Sequence, residues 1–166
     1  MVTREELHAA LVQRHGEVVQ QRLDRACVGI AGLGGLGSHI AAHMARLGVG
    51  RLTLVDYDVV DITNLNRQYY TVKDIGIPKT LALQEQLEAI NPYLYYDTYT
   101  ERIVPANAAR LFTGCDVVCE AFDRADQKAM LIETLLSALP DTPVVSASGM
   151  AGYGSPSAIR TERRFG

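Results

Sequence analysis

The sequence predicts a doubly wound α/β fold, a mostly parallel sheet with helices on both faces and a Rossmann-like nucleotide-binding topology. Three observations carry this. Short apolar runs alternate with longer amphipathic ones along the chain, the pattern of parallel strands joined by helical crossovers. A glycine-rich loop, Gly32-Leu33-Gly34-Gly35-Leu36-Gly37, separates the first apolar run from the helix after it. An acid, Asp56, ends the second apolar run, about twenty residues past the loop.

The elements follow in order. Thr3 and Glu6 have capping-box spacing, and Leu7, Leu11, Val18 and Leu23 recur at helical intervals. Residues 4–24 are therefore predicted as one surface helix. This divides the chain into an N-terminal helix, residues 1–25, packed on a domain over 26–166. Residues 26–31 read as a fully buried strand. Residues 37–47 form a helix facing inward through Ile40, Met44 and Leu47, closed by Gly48. A second strand covers 52–55. Pro78 begins a helix with Leu81, Leu87 and Ile90 as its apolar face, stopped at Asn91-Pro92. Tyr93–Tyr99 reads as a strand whose tyrosines sit at the surface. Pro105 opens a short helix over 105–112. Then come a strand at 116–122, a helix at 124–139 and a strand at 143–147. Ser157–Thr161 is expected to add one more strand, and the end at Arg164-Phe165-Gly166 reads as a C-terminal shortening.

Composition limits the functions available. The chain has 166 residues, 48% hydrophobic and 21% charged, enough to bury a core in one domain. A net charge of −3 gives no electrostatic case for binding nucleic acid or an anionic membrane. No apolar run approaches a bilayer span, and Met1–Glu6 lacks the features of a secretory signal. Cys27, Cys115 and Cys119 form no Cys-x-x-Cys pair, so neither a disulfide framework nor a structural zinc site is expected. All three read as packing residues. A reduced, cytoplasmic protein is predicted. His39 and His43 have metal-ligand spacing on one helical face but no evident third ligand, and read as helix surface.

The glycine loop and Asp56 alone suit NAD or FAD as well as any other nucleotide. The next segment favours a triphosphate. Asp56 is followed by an irregular stretch containing Asp58, Asn64, Arg67 and Gln68, and Lys79 stands near the start of the next helix. Arg offers a planar fork to phosphate oxygens and Lys a point charge. The competing reading makes Arg67 and Lys79 solvated surface charges. Asp123, at the end of an apolar run, suits Mg²⁺ held between phosphates, or a cap for the helix starting at Arg124.

The order Gly-x-Gly-Gly-x-Gly, Val-Asp-x-Asp-x-Val, Asn-Leu-x-Arg-Gln, Pro-Lys, Asn-Pro and a late Asp resembles the ThiF/MoeB/HesA family, bacterial relatives of the ubiquitin-activating enzymes. The resemblance runs from about Val28 to Ile159 and is nearest the compact ThiF-like branch. It implies ATP-dependent adenylation of the C-terminal carboxylate of a small ubiquitin-fold sulfur carrier, ThiS-like, in thiamin biosynthesis. It also implies a homodimer using ATP and Mg²⁺. By motif position, Gly32, Gly34, Gly35 and Gly37 would form the nucleotide loop and Asp56 would bind ribose, with Asp58 beside it. Asn64, Arg67, Gln68 and Lys79 would line the phosphates, and Asp123 would bind the metal. Arg67, Lys79 and Asp123 would be the catalytic residues.

The chain departs from the family pattern in three places. It lacks the two zinc-binding Cys-x-x-Cys pairs, the later cysteine that handles sulfur, and the N-terminal Arg-Tyr-x-Arg-Gln segment, for which Arg14 and Arg22 are the available substitutes. An NAD-binding oxidoreductase and a catalytically inactive ATP-binding scaffold are the alternatives. Ser146-Ala147-Ser148-Gly149 lacks a base partner for hydrolysis and is expected to shape a channel for a carrier tail.

Overall fold

The structure, a computed structural model, describes residues 2–147 and 160–164. In chain order the elements are α1 (Arg4–His15), α2 (Glu17–Arg25), β1 (Cys27–Ala31), α3 (Gly37–Leu47) and β2 (Arg51–Val55). Two short 3-10 turns follow, Ile62–Asn64 and Val72–Asp74. The chain continues through α4 (Lys79–Ile90), β3 (Tyr95–Tyr99), α5 (Pro105–Phe112), β4 (Val117–Glu120), α6 (Ala125–Ala138) and β5 (Val144–Ser146).

The five strands form one sheet in the order β3-β2-β1-β4-β5, with every pairing parallel. The predicted fold class is therefore what the chain adopts. Direction reverses between β1, which leads to β2, and its other neighbour β4. In open sheets of this kind ligands bind at the carboxyl ends of the strands beside that switch point.

Side-chain alternation splits the core in two. Val28 and Ile30 of β1 and Leu52 and Leu54 of β2 pack with Ala41, Ala42 and Ala45 of α3 and with Leu83 and Leu87 of α4. On the other face Cys27, Ala31 and Val55 meet Ala108, Leu111 and Phe112 of α5 and Leu131 and Leu135 of α6. Gly29 makes the second face possible, because a Cβ there would stand 2.6 Å from the Phe112 ring.

Several expectations are corrected. The single helix over 4–24 is two helices, broken at Gly16, where φ is +81°. That conformation costs an L side chain, so glycine is where the helix stops. Val18 is exposed, and the buried residue of α2 is Gln20. It links His15 Nδ1 (2.9 Å) to Asp24 Oδ1 (2.8 Å), and Asp24 Oδ2 meets His8 Nε2 at 2.8 Å. The inward face of α3 is alanine, with Leu47 exposed, because small side chains let the helix lie close to the sheet. In α4 the buried apolar residues are Ala82, Leu83 and Leu87, while Leu81 points outward. Of the strand expected over 157–161, Ser157–Ile159 lie outside the described residues, and Arg160 and Thr161 are irregular.

Candidate functional site

The site starts from β1. Gly32 N–H donates to Val55 O (2.9 Å), prolonging the sheet by one residue, and then turns with φ +89°. A Cβ at Gly32 would meet the Phe122 ring at 2.9 Å; one at Gly37 would lie 1.8 Å from Gly32 O. Both positions thus require glycine, and the first turn of α3 is pressed onto the end of β1. The N-cap of α3 is Leu36, which offers no side-chain cap bond. Ser38 N–H and Ile40 N–H bond back to Gly34 O and Leu36 O; first-turn N–H groups left free and the helix dipole are the features that suit an anion.

Asp56 braces this loop. Its Oδ2 accepts the Leu33 N–H at 2.7 Å and its Oδ1 the Asp58 N–H at 2.9 Å. A carboxylate has further lone pairs, so ribose hydroxyls remain within its capacity.

The long connection from β2 to α4 carries the remaining candidates. Connections of this length without regular structure are generally functional. Val59 pairs with Pro78 in an antiparallel bridge, Val60 N–H donates to Ile77 O (2.9 Å) and Lys79 N–H to Asp58 O (2.9 Å). This pairing delivers Lys79 to the first turn of α4, where its Nζ lies 3.0 Å from Asp58 Oδ2.

Residues 64–70 lie over the glycine loop. A Cβ at Gly35 would stand 3.5 Å from Arg67 O and 3.6 Å from Arg67 Cγ. The Arg67 guanidinium is exposed and donates to Thr63 O (3.0 Å) and Asn66 Oδ1 (2.9 Å). Gln68 is buried beside Gly34, and its amide oxygen has no hydrogen-bond partner among the described residues. Such an orphan carries a desolvation cost that a ligand donor would relieve. Asn64 Oδ1 accepts the Asp61 N–H (3.0 Å) and shapes the turn that leads to Arg67.

Four residues to which the sequence assigned no role at the site, Ser38, His39, Tyr69 and Tyr70, fasten the two segments together. Ser38 Oγ donates to Gly34 O (2.7 Å) and accepts the Tyr69 N–H (3.0 Å). Tyr70 OH donates to Leu33 O at 2.8 Å. Burial, reinforced by the Asp56, Asp74 and Asp58 charges, pushes the Tyr70 phenol far above its ordinary range and keeps it a donor. His39 Nε2 lies 3.2 Å from Arg67 O, with its ring edge-on to Tyr69. His39 and His43 thus make backbone contacts of the kind a helix surface allows. Only their local sequence spacing was visible in advance.

Asp123 is exposed beyond the end of β4, one residue past Phe122, which packs on Gly32. The capping alternative is not realised: Arg124 is the N-cap of α6, with no side-chain cap bond. Among the described residues no group of three or more His, Cys, Asp or Glu is placed to hold a metal. One free carboxylate still suits Mg²⁺, which takes one or two protein ligands and completes its shell with phosphates and water.

The cysteines lie elsewhere. Cys27 opens β1, and the Cys27 and Cys115 sulfurs are 3.5 Å apart and buried. The hydrogen bond between the two thiols lowers Cys27 to about 7 and pushes Cys115 up. Burial raises Cys119. The pair is a strand's length, roughly 13 Å, from the glycine loop. The α1–α2 hairpin is at that same far end, where a Cβ at Gly50 would stand 1.9 Å from Asp24 O. Arg14 and Arg22 are exposed on this hairpin. Among the described residues no helix is long and apolar enough to cross a membrane.

The sequence profile described as the ThiF family matches residues 6–164. A sulfur carrier protein adenylyltransferase of Thermus thermophilus is 37% identical over 126 residues, covering 73% of this chain and 46% of that protein. A tRNA threonylcarbamoyladenosine dehydratase of Escherichia coli is 32% identical over 148 residues, covering 88% of this chain and 54% of its own length. The crystal structure of the E. coli dehydratase TcdA in complex with ATP superposes with a TM-score of 0.83 at 28% identity, covering 95% of this chain and 65% of that one. The chain therefore spans about half the length of these two sequence relatives.

Proposed function

This chain belongs to the ThiF family, and from that premise we propose that it adenylates a carboxylate with ATP. The acceptor is the C-terminal carboxylate of a ThiS-like ubiquitin-fold carrier, and the pathway thiamin biosynthesis. The observation that carries the reading is Arg67 laid along Gly35, its Cγ 3.6 Å from where a Cβ would stand, which sets a cationic side chain beside the glycine loop. A dinucleotide needs no such cation, because backbone N–H groups already hold its pyrophosphate.

In this reading the carrier carboxylate attacks the α-phosphorus of ATP and pyrophosphate leaves. The attacking group is ionised at neutral pH, so no general base is required. The protein's work is positioning and neutralising charge. The α3 N-terminus and the Gln68 Nε2 amide hold phosphate, Asp56 holds ribose, and Arg67 and Lys79 stabilise charge on the leaving pyrophosphate. Asp58 holds Lys79 until phosphate replaces it. Asp123 would hold Mg²⁺, which neutralises the phosphate oxygens when bound.

The name of the T. thermophilus relative supports the carrier as acceptor. The dehydratase relatives raise tRNA as an alternative, and the net charge of −3 favours the carrier. The working assembly is a homodimer. Because the α1–α2 hairpin sits at the far end of the sheet from its own glycine loop, an arginine reaching this loop from that hairpin would come from a second copy.

The test is intact-mass spectrometry of a ThiS-like carrier ending in Gly-Gly after incubation with the protein, ATP and Mg²⁺. Gain of one AMP on the carrier supports the reading. An unmodified carrier, with ATP bound, supports the scaffold instead.

A further inference from the structure

We propose that Glu120, Lys128 and Ser146 are positioning residues for the nucleotide site, forming a buried clasp that holds the Ala121–Asp123 turn against the glycine loop. The inference rests on the reading of that loop as the ATP site.

Glu120 is the last residue of β4, and its side chain is completely buried. Each carboxylate oxygen is used twice. Oε1 accepts the Phe122 N–H (2.7 Å) and Lys128 Nζ (3.0 Å); Oε2 accepts Lys128 Nζ (2.9 Å) and Ser146 Oγ (2.6 Å). Lys128 comes from α6, with 16% of its side chain exposed, and Ser146 ends β5. A buried carboxylate is expensive to desolvate and survives only with its lone pairs satisfied. Here the partners come from the following turn, the next helix and the neighbouring strand.

The turn fixed in this way is a wall of the site. Ala121 N–H donates to Ala31 O (2.9 Å), which registers it beside the end of β1. A Cβ at Gly32 would meet the Phe122 ring at 2.9 Å and Ala121 O at 3.2 Å; a Cβ at Gly37 would meet Ala121 Cβ at 3.2 Å. The glycine loop therefore rests on the two residues that Glu120 holds, and Asp123 is the next residue along. If the clasp opens, the loop loses its backing and Asp123 its aim. A tie that merely fastened β5 to the sheet would not engage the Phe122 N–H.

The experiment compares wild type with Lys128→Arg, Ser146→Ala and the paired variant Glu120→Gln/Lys128→Met. The paired variant removes both buried charges, so neither is left alone. Circular dichroism and melting report folding. MgATP affinity by calorimetry and amide hydrogen exchange over 32–38 and 121–123 report the site. The paired variant is expected to stay folded, bind MgATP about tenfold more weakly and exchange faster in both segments. Lys128→Arg, which keeps the buried ion pair, is expected to stay near wild type in both readouts. A folded paired variant with wild-type affinity and wild-type protection in those segments overturns the proposal. Should that variant not fold, Ser146→Ala decides by the same readouts, and no change in either overturns the proposal. Wild-type protein that binds no MgATP overturns the ATP reading instead. The clasp is then judged by hydrogen exchange alone, where unchanged protection of 32–38 overturns it.

Discussion

Lys79 Nζ lies 3.0 Å from Asp58 Oδ2, with the lysine side chain 7% exposed and the aspartate side chain 47% exposed. The two partners are unequally buried. Asp58 reaches solvent, while Lys79 is held from below by α4 and the Val59–Pro78 bridge. In the proposed adenylation, an incoming phosphate would displace Asp58 without moving the lysine, which keeps the cation in place. Replacing Lys79 with Met should leave Asp58 solvated and the fold intact, and slow carrier adenylation by about 10²–10³. Single-turnover rates at saturating ATP check this.

Gly37→Ala tests the packing of the glycine loop. The new methyl would lie 1.8 Å from Gly32 O, an atom of the backbone with no room to retreat. Destabilisation of about 3 kcal/mol is expected, lowering Tm by about 6–12 °C in a domain of this size. Thermal melting monitored by circular dichroism reads it, and an unshifted Tm would mean that α3 does not press on β1 as described.

Gln68 should show a trade between stability and binding. Its buried oxygen is unpartnered among the described residues, so Gln68→Leu removes an orphan at similar volume. Stability is expected to rise by about 1 kcal/mol while MgATP affinity falls. Melting and calorimetry on the same sample separate the two, and a variant that loses stability and keeps affinity would assign Gln68 to packing.

The thiols offer a negative control. Cys27 and Cys115 face each other at the far end of the sheet. The double substitution Cys27→Ser/Cys115→Ser should lower Tm, because hydroxyls replace apolar sulfur in a buried cluster, and leave adenylation of the carrier unchanged. Loss of adenylation in the folded double variant would require a catalytic thiol.

The two central strands β1 and β2 were legible because they are buried on both faces and read as short, mostly apolar runs, as in Ile30-Ala31 or Leu52-Thr53-Leu54-Val55. The glycine loop was legible because Gly32 and Gly37 meet backbone constraints that only glycine satisfies. The break at Gly16 was not, since an isolated glycine is tolerated inside a helical pattern. Ile40, Met44, Leu87 and Ile90 pack on the core as expected, but Leu47 and Leu81 were misplaced because apolar size was taken as depth, whereas Ala41 and Ala45 go deepest by being small. The Glu120–Lys128 pair and the Ser38–Tyr69 bond join residues from different elements, and spacing along one chain carries no signal for them. The contact of Asn64 Oδ1 with the Asp61 N–H was visible only once the turn is built.

The most direct test of carboxylate adenylation is ATP–pyrophosphate exchange with Mg²⁺, run with and without a ThiS-like carrier ending in Gly-Gly. The account predicts exchange that requires the carrier and disappears in Arg67→Ala and in Asp123→Ala. Tight ATP binding with no exchange under any carrier would contradict it.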